Sequence, residues 1–301
     1  MERKKLSFGW IPDLPDFRDF TPETPEVKLI TSSLKKSAKA KAFKLATSVD
    51  LREYCSPVED QGQIGSCTAQ AAVGMIEYFQ KRAFNTYLDG SALFVYKVTR
   101  NLLRWAGDTG AYLRTAMKTL AGFGICPEEY WPYSDYRTGE NGIPSDPFEI
   151  EPSSFCYAFA ANYKSIKYFR LDTPELDKPA ILENIKKYAA SGLPSMFGFS
   201  VYSSIYSAGA TGKIPYPNIG ESRVGGHAVM VVGYDDAIEI QNGNNKTTGA
   251  FLIRNSWGIS WGESGYGYLP YEYVLRGLAE DFWSIISADF LDTGNFRLDQ
   301  L

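Results

Sequence analysis

The chain is sparing with catalytic chemistry: it has one histidine, His227, and four cysteines, Cys55, Cys67, Cys126 and Cys156. Any step that needs an imidazole must use His227. Cys67 is the cysteine with an activating context. It follows the stretch Gln61-Gly-Gln-Ile-Gly-Ser66, whose two glycines and serine suit a tight turn. After it, Ala72, Met75, Ile76, Phe79 and Ala83 recur at spacings of three and four. That period predicts a helix from Cys67 to about Arg82. A helix N-terminus carries roughly half a positive charge, which favours thiolate over thiol. Taken singly, Cys67 reads as a small buried hydrophobe and His227 as a structural histidine. Asn255 alone is a strand-end residue, and Gln61 alone a surface glutamine. A functional reading rests on the four of them together.

The elements that must position these groups are legible in outline. Further helices are expected near 111–121 and 179–190. Residues 122–157 read as loop, with an ordered aromatic element, Tyr130-Trp-Pro-Tyr133. His227-Ala-Val-Met-Val-Val-Gly-Tyr234 and Ala250-Phe-Leu-Ile-Arg-Asn-Ser256 are short apolar runs of strand character, joined by turn residues in Gln241-Asn-Gly-Asn-Asn-Lys-Thr-Thr-Gly249. If the two runs pair as antiparallel neighbours, the start of the first meets the end of the second. Connectivity alone then puts His227 beside Asn255.

Composition bounds the rest. With 301 residues, 44% of them hydrophobic, the chain can bury a large core. Its formal net charge of −4 gives no global reason to bind nucleic acid or an anionic membrane. No run reaches the ~18 apolar residues of a membrane span, and the first residues lack the apolar core of a secretory signal. A cytoplasmic, monomeric protein with free thiols is the resulting expectation. No Cys-x-x-Cys pair is present, which argues against a zinc ribbon, and neither metal nor cofactor is expected. Residues 1–30 are rich in proline and aromatics. Six lysines between Lys28 and Lys44 then suggest a solvated linker, with a processing site or a nucleic-acid arm as alternatives.

The ordered motifs resemble the papain-like cysteine peptidases. Asp60-Gln61-Gly-Gln-Ile-Gly-Ser-Cys67-Thr-Ala is similar to the family's oxyanion glutamine and nucleophile motif, and Gly225-Gly226-His227-Ala-Val-Met-Val-Val-Gly-Tyr to its histidine motif. Arg254-Asn255-Ser-Trp257-Gly and Trp261-Gly-Glu-Ser-Gly-Tyr-Gly-Tyr resemble its asparagine motif, Val49-Asp-Leu-Arg52 the start of the mature enzyme, and Asp108-Thr-Gly110-Ala111-Tyr112 its substrate-binding edge. The likeness covers about 47–290. Gly9-Trp10-Ile-Pro-Asp-Leu-Pro-Asp-Phe-Arg-Asp19 is similar to a microbial branch with a short N-terminal extension. Two departures stand out. Ile64 replaces a cysteine usual in the family, and its disulfide partner near Gly107 or Asp108 is missing too. Thr68 replaces the aromatic residue that usually follows the nucleophile.

The resemblance implies an α+β, two-domain fold: an N-terminal extension (1–47), a helical domain carrying the nucleophile (48–156) and an antiparallel β-barrel-like domain (157–301), with the site in the cleft between them. It implies peptide-bond hydrolysis through a thioester on Cys67, with His227 as acid and base, Asn255 orienting it, and Gln61 in the oxyanion hole. Gly110, Ala111, Tyr112, Gly226 and Trp257 would line the cleft for a peptide or protein substrate. Glu280 or Asp281 would floor a pocket favouring Arg or Lys, with solvated loop acids as the alternative. The extension is expected to act as an intramolecular inhibitor, a zymogen lid anchored by Trp10, Phe17 and Phe20, or else as a strap on the back of the enzyme. Pairing of Cys55 with Cys126 is left open. A catalytically idle binding module and an acyl-transferase or isopeptide hydrolase are the competing functions.

Overall fold

The computed structural model describes residues 6–35, 45–135, 146–164 and 166–297. Much of the lysine-rich linker expected before Ala46 lies outside these residues. Its beginning does not: Pro25–Lys35 is a helix, α1, with Val27 and Thr31 buried, so Lys28 sits on a packed helix. The solvated linker expected from the lysines is corrected here, because Val27 and Thr31, four residues apart, hold one face of α1 against the body while Leu29 is exposed.

The order continues with β1 (Ser48–Asp50) and then three helices that hold the nucleophile: α2 (Cys67–Phe84), α3 (Ala92–Leu103) and α4 (Leu113–Gly122). α2 and α4 lie where their periodicity places them. α3 was not anticipated. It is capped by Ser91, whose hydroxyl accepts from Phe94 N–H at 3.0 Å, and it is buried along most of its length, which blurs the polar–apolar alternation. A short helix, α5 (Ser154–Ala160), follows within the stretch read as loop.

The remaining elements are β2 (Lys167–Arg170), α6 (Lys178–Ala190), β3 (Ser195–Tyr202), β4 (Arg223–Asn242), β5 (Asn245–Arg254), β6 (Tyr266–Pro270), α7 (Glu272–Leu275), β7 (Ala279–Ile286) and α8 (Ala288–Leu291). Asp177 caps α6 by accepting from Ala180 N–H at 2.8 Å. Among the described residues the strands form one antiparallel sheet in the order β2-β7-β3-β4-β5-β6, with β1 added to β4. The path is open, so the expected barrel-like closure is corrected to a twisted sheet with two ends. β2 and β6 are its outer strands and do not pair with each other.

β4 and β5 form the hairpin anticipated from sequence, but it is longer. The turn shrinks to Gly243-Asn244, with Asn242 opposite Asn245 and Gly243 at φ +60°. The register sets Met230 against Arg254, so His227 and Asn255 lie at the same end of the pair.

α2 packs against β4 at close range. A Cβ on Gly74 would lie 2.2 Å from the Arg254 guanidinium and 3.0 Å from Met230 Sδ. Glycine at mid-helix therefore allows the sheet to approach the helix that carries Cys67. Buried aromatics fill much of the core, among them Tyr78, Phe79, Phe197, Phe251, Phe282 and Trp283.

Candidate active site

Cys67 begins α2 and is fully buried. Its sulfur sits among backbone N–H groups of Cys67 itself, Thr68, Ala228 and Gly9. Two of these donors belong to the helix's first turn, one to the residue after His227, and one to the N-terminal segment. Burial pushes the thiol up to about 12, against the lowering effect of those donors.

His227 lies on β4, fully buried. Its Nε2 is 2.7 Å from Asn255 Oδ1. Asn255 Oδ1 also accepts from Ser256 N–H at 2.8 Å. A carboxamide oxygen can only accept, so Nε2 carries the hydrogen and Nδ1 of the neutral ring carries a lone pair. Nδ1 has no hydrogen-bond partner. Burial lowers the His227 pKa to about 4, with the Asn255 bond opposing that shift. Trp257 stacks on the ring, with centroids 4.3 Å apart at 19°, and Phe199 meets it edge-on at 5.8 Å.

Gln61 is buried, and its orientation is determined by a residue that sequence reasoning missed. Ser256 Oγ donates to Gln61 Oε1 at 2.6 Å, and Gln61 N–H donates to the Ser256 carbonyl at 2.9 Å. Nε2 is left aimed at the Ile64 carbonyl (3.0 Å) and the Ser7 carbonyl (3.4 Å). The signal was present, since Ser256 adjoins Asn255. Only the fold reveals that one serine serves both amides.

The loop before Cys67 is joined to the Asp108–Tyr112 edge by Gly65 N–H donating to Asp108 Oδ1 at 2.9 Å. Tyr96 OH donates to the same oxygen at 2.7 Å. These bonds link the two stretches that the family's missing disulfide would join. All four cysteines are free. Cys126 interacts with Cys156, not with Cys55.

Residues 6–13 thread through the cleft. Leu6 enters a cavity of about 190 Å³ lined by Ile205, Tyr206, Trp257 and Trp261. Phe8 meets His227 and Trp257 edge-on at 6.2 and 6.1 Å. Gly9 and Trp10 N–H both donate to the Gly226 carbonyl, at 3.1 and 3.0 Å. Ala111 N–H donates to the Gly9 carbonyl at 2.8 Å, and Ile11 N–H to the Ala111 carbonyl at 3.3 Å. Trp10 and Ala111 thus form a parallel bridge. Gly110, at φ +75°, and Tyr112, the residue before α4, flank that bridge.

Trp10, 3% exposed, fills a pocket between β3 and β4. A Cβ on Gly198 would fall 1.9 Å from the indole ring, so the pocket exists because residue 198 has no side chain. At its floor, Trp10 Nε1–H donates to Asp281 Oδ2 at 3.1 Å, and Asp13 N–H donates to the same oxygen at 2.7 Å. Asp281 sits in a bulge: β7 runs from Glu280 to Trp283 while β3 advances only from Gly198 to Met196. Its φ of +61° turns the carboxylate into the pocket. Its other oxygen accepts at 2.8 Å from Arg170, a guanidinium it shares with Asp172. Burial still pushes its pKa up to about 7. This weakens the expected preference for a basic side chain. Glu280 is only partly buried and stands outside this pocket network. Phe17, expected as an anchor, is 98% exposed; Phe8 and Trp10 carry the contact, and Phe20 is half-buried.

One carboxylate grouping among the described residues, Glu59, Glu77 and Asp89, brings ligand oxygens within 4.8 Å of one another. Glu77 is already engaged by Ser56 Oγ and by Gly90 N–H.

Comparison with known proteins identifies the family. Residues 45–280 match the family model described as papain family cysteine protease. The chain therefore belongs to the papain family and is a cysteine-type peptidase. It is 35% identical over 263 residues to an uncharacterised peptidase C1-like protein of Acanthamoeba polyphaga mimivirus, covering 85% of this chain and 78% of that one. It is 32% identical over 231 residues to a cathepsin B-like protein of Giardia intestinalis, covering 73% of this chain and 67% of the relative. Among solved structures, xylellain, a cysteine protease from Xylella fastidiosa, aligns with 36% identity and a TM-score of 0.72. That alignment covers 95% of this chain and 98% of xylellain. The α+β papain fold follows. No helix among the described residues is long and apolar enough to cross a membrane.

Proposed function

We propose that the chain hydrolyses peptide bonds through an acyl-enzyme on Cys67 and that residues 6–13 hold it latent. The observation that carries the reading is the His227 ring. Asn255 fixes its tautomer at Nε2, leaving a buried, unpartnered base at Nδ1 one residue from the N–H that touches the Cys67 sulfur. In the open cleft Nδ1 takes the thiol proton. The sulfur attacks the substrate carbonyl, and the oxyanion is met by Gln61 Nε2 and the Cys67 N–H. His227 then protonates the leaving amine, and a water activated by Nδ1 releases the acid. Gly110, Ala111, Tyr112 and Gly226 would hold the extended substrate backbone, Trp257 would shield the His227–Asn255 bond, and Asp281 would floor the pocket for a substrate side chain.

Two features support latency. The segment desolvates the pair, which favours thiol and neutral imidazole over the reactive ion pair. It also runs from the Trp257 side towards the Asp281 pocket. In the resemblance, that pocket takes the second residue before the scissile bond, so a substrate runs the other way. A reversed chain presents its carbonyls wrongly for attack.

The test is alkylation of the full chain by an epoxide thiol reagent, located by peptide mass spectrometry, with His227→Ala in parallel. Labelling confined to Cys67, accelerated by Trp10→Ala and abolished by His227→Ala, is the expected result. Labelling independent of His227 would overturn it.

A further inference from the structure

Of the three aspartates in and just after the segment that fills the cleft, Asp13 and Asp19 are held by one residue of the enzyme body, while Asp16 pairs with Arg18. Arg114, in the first turn of α4, donates from Nη1 to Asp13 Oδ1 at 2.8 Å and from Nε to Asp19 Oδ1 at 2.8 Å. Its other terminal nitrogen donates to Asp19 Oδ2 and to the Leu14 carbonyl, both at 2.7 Å. Its backbone N–H, at the open end of α4, donates to Asp13 Oδ2 at 2.9 Å. Each of these acceptors belongs to residues 13–19.

The neighbouring charges behave differently. Arg170 is paired within the body, to Asp172 at 3.0 Å and to Asp281 at 2.8 Å, and reaches Asp19 only at 4.0 Å. When the segment leaves, Asp172 and Asp281 keep Arg170. Release of residues 6–13 takes Asp13 from Arg114 Nη1 and from the helix-end N–H, while Asp19 keeps Nε and Nη2 and the face of Trp283 stays 5.4 Å from the guanidinium carbon. The vacated position is then bounded by Arg114 Nη1 and by a helix N-terminal N–H, both of which have lost the Asp13 carboxylate.

We infer that Arg114 is a specificity residue of the open cleft and that it recognises an acidic side chain lying on the N-terminal side of the residue that occupies the Asp281 pocket. The inference rests on the peptidase reading above and extends it to the substrate class. Asp13 stands in for the substrate's carboxylate: it engages Arg114 through both the guanidinium and the helix-end N–H, while its own backbone N–H reaches Asp281. Arginine beside a helix N-terminus is a two-part carboxylate receptor, because fork donors and aligned amides favour the same anion. The preferred substrate therefore carries an uncharged, bulky side chain in the Asp281 pocket and Asp or Glu close before it. Trp10 occupies the first of these positions in this structure and Asp13 the second.

The experiment uses the full chain and peptidyl acyloxymethyl ketones that alkylate Cys67. Each carries Trp as the second residue from the reactive group, with Asp, Asn or Lys at the third, fourth or fifth. All probes share the same displacement of the segment, so their rate ratios report the subsite alone. At one of these positions the Asp probe is expected to label about tenfold faster than Asn, a charge-assisted contact's worth, with Lys slowest. The ratio should fall below about twofold in Arg114→Gln and shrink in 0.5 M salt, as a partly exposed pair does. Should Arg114→Gln fail to fold, the salt dependence in the unsubstituted chain decides. Equal rates for Asp and Asn at all three positions would overturn this inference and leave the peptidase reading standing. Failure of every probe to label Cys67, in both the unsubstituted chain and Trp10→Ala, would remove both.

Discussion

At the scale of single residues the site depends on which atoms accept and which donate. Asn255 contributes only its carbonyl oxygen to His227, so Asn255→Asp keeps an acceptor while Asn255→Leu leaves the ring unoriented. In the proposed mechanism Ser256 is a positioning residue: its hydroxyl holds Gln61 Oε1 and leaves Nε2 facing the Ile64 and Ser7 carbonyls. Gln61→Ala should lower kcat by about 10²–10³, the usual loss for one oxyanion donor. Ser256→Ala should lower kcat by about tenfold with KM little changed, because the donor is misaimed and not removed. Steady-state kinetics on a peptide substrate would check both. A Ser256→Ala effect confined to KM would argue against the positioning role.

Elements decide how tightly the segment is held. Trp10 is the plug, and burying an indole is worth about 4–6 kcal/mol before the ordering of the chain is counted. Trp10→Ala should therefore speed Cys67 alkylation in the full chain by at least about tenfold, since truncating a buried aromatic commonly costs ~3 kcal/mol or more. Gly198→Val closes the same pocket from the β3 side and should produce the same acceleration. It should also abolish turnover of substrates with a bulky side chain at that position, measured as kcat/KM across a small peptide set. The helix–sheet contact has its own test. Gly74→Val forces the Arg254 guanidinium aside and should lower Tm by several degrees, as overpacking a buried contact costs about 1–3 kcal/mol. Arg254 immediately precedes Asn255, so this substitution should also reduce kcat.

For the molecule as a whole, the buried imidazole couples the closed form to pH. Burial lowers the His227 pKa to about 4, below the ordinary value of 6.5. A group whose pKa is lowered on closing as a neutral base contributes stability above pH 6.5 and loses it as pH falls towards 4. Any opened or unfolded state in which His227 meets water takes up a proton that the closed state refuses. At pH 4.5 the closed form should have lost roughly 2–3 kcal/mol from this residue relative to pH 7.5. Thermal melts of the full chain and of His227→Gln at the two pH values check this, and the variant should lose less on acidification. The Cys67 thiol, pushed up to about 12, acts at the other end of the scale, where alkaline pH favours opening.

The sequence by itself determined which residues a catalytic reading singles out. A single histidine, a cysteine at the head of a periodic helix and two apolar runs joined by a turn were enough to bring Cys67, His227 and Asn255 into one reading, because local period and hairpin connectivity act over short distances. The family resemblance supplied Gln61 and the cleft edge. Tertiary structure decided the rest. That Asp281 and not Glu280 enters the pocket depends on a bulge and a positive φ, which no periodicity encodes. That Phe17 is exposed while Phe8 lies on His227 depends on where an extended chain without repeating hydrogen bonds meets the body. α1 reads as linker in the sequence because Val27 and Thr31, the buried positions that hold it, are too few to mark a period. The open sheet depends on which strands pair at its two ends, a contact between residues far apart in sequence. Arg114 had no signal at all. Its meaning comes from the company it keeps, and two aspartates some hundred residues away reach it only once the chain has folded.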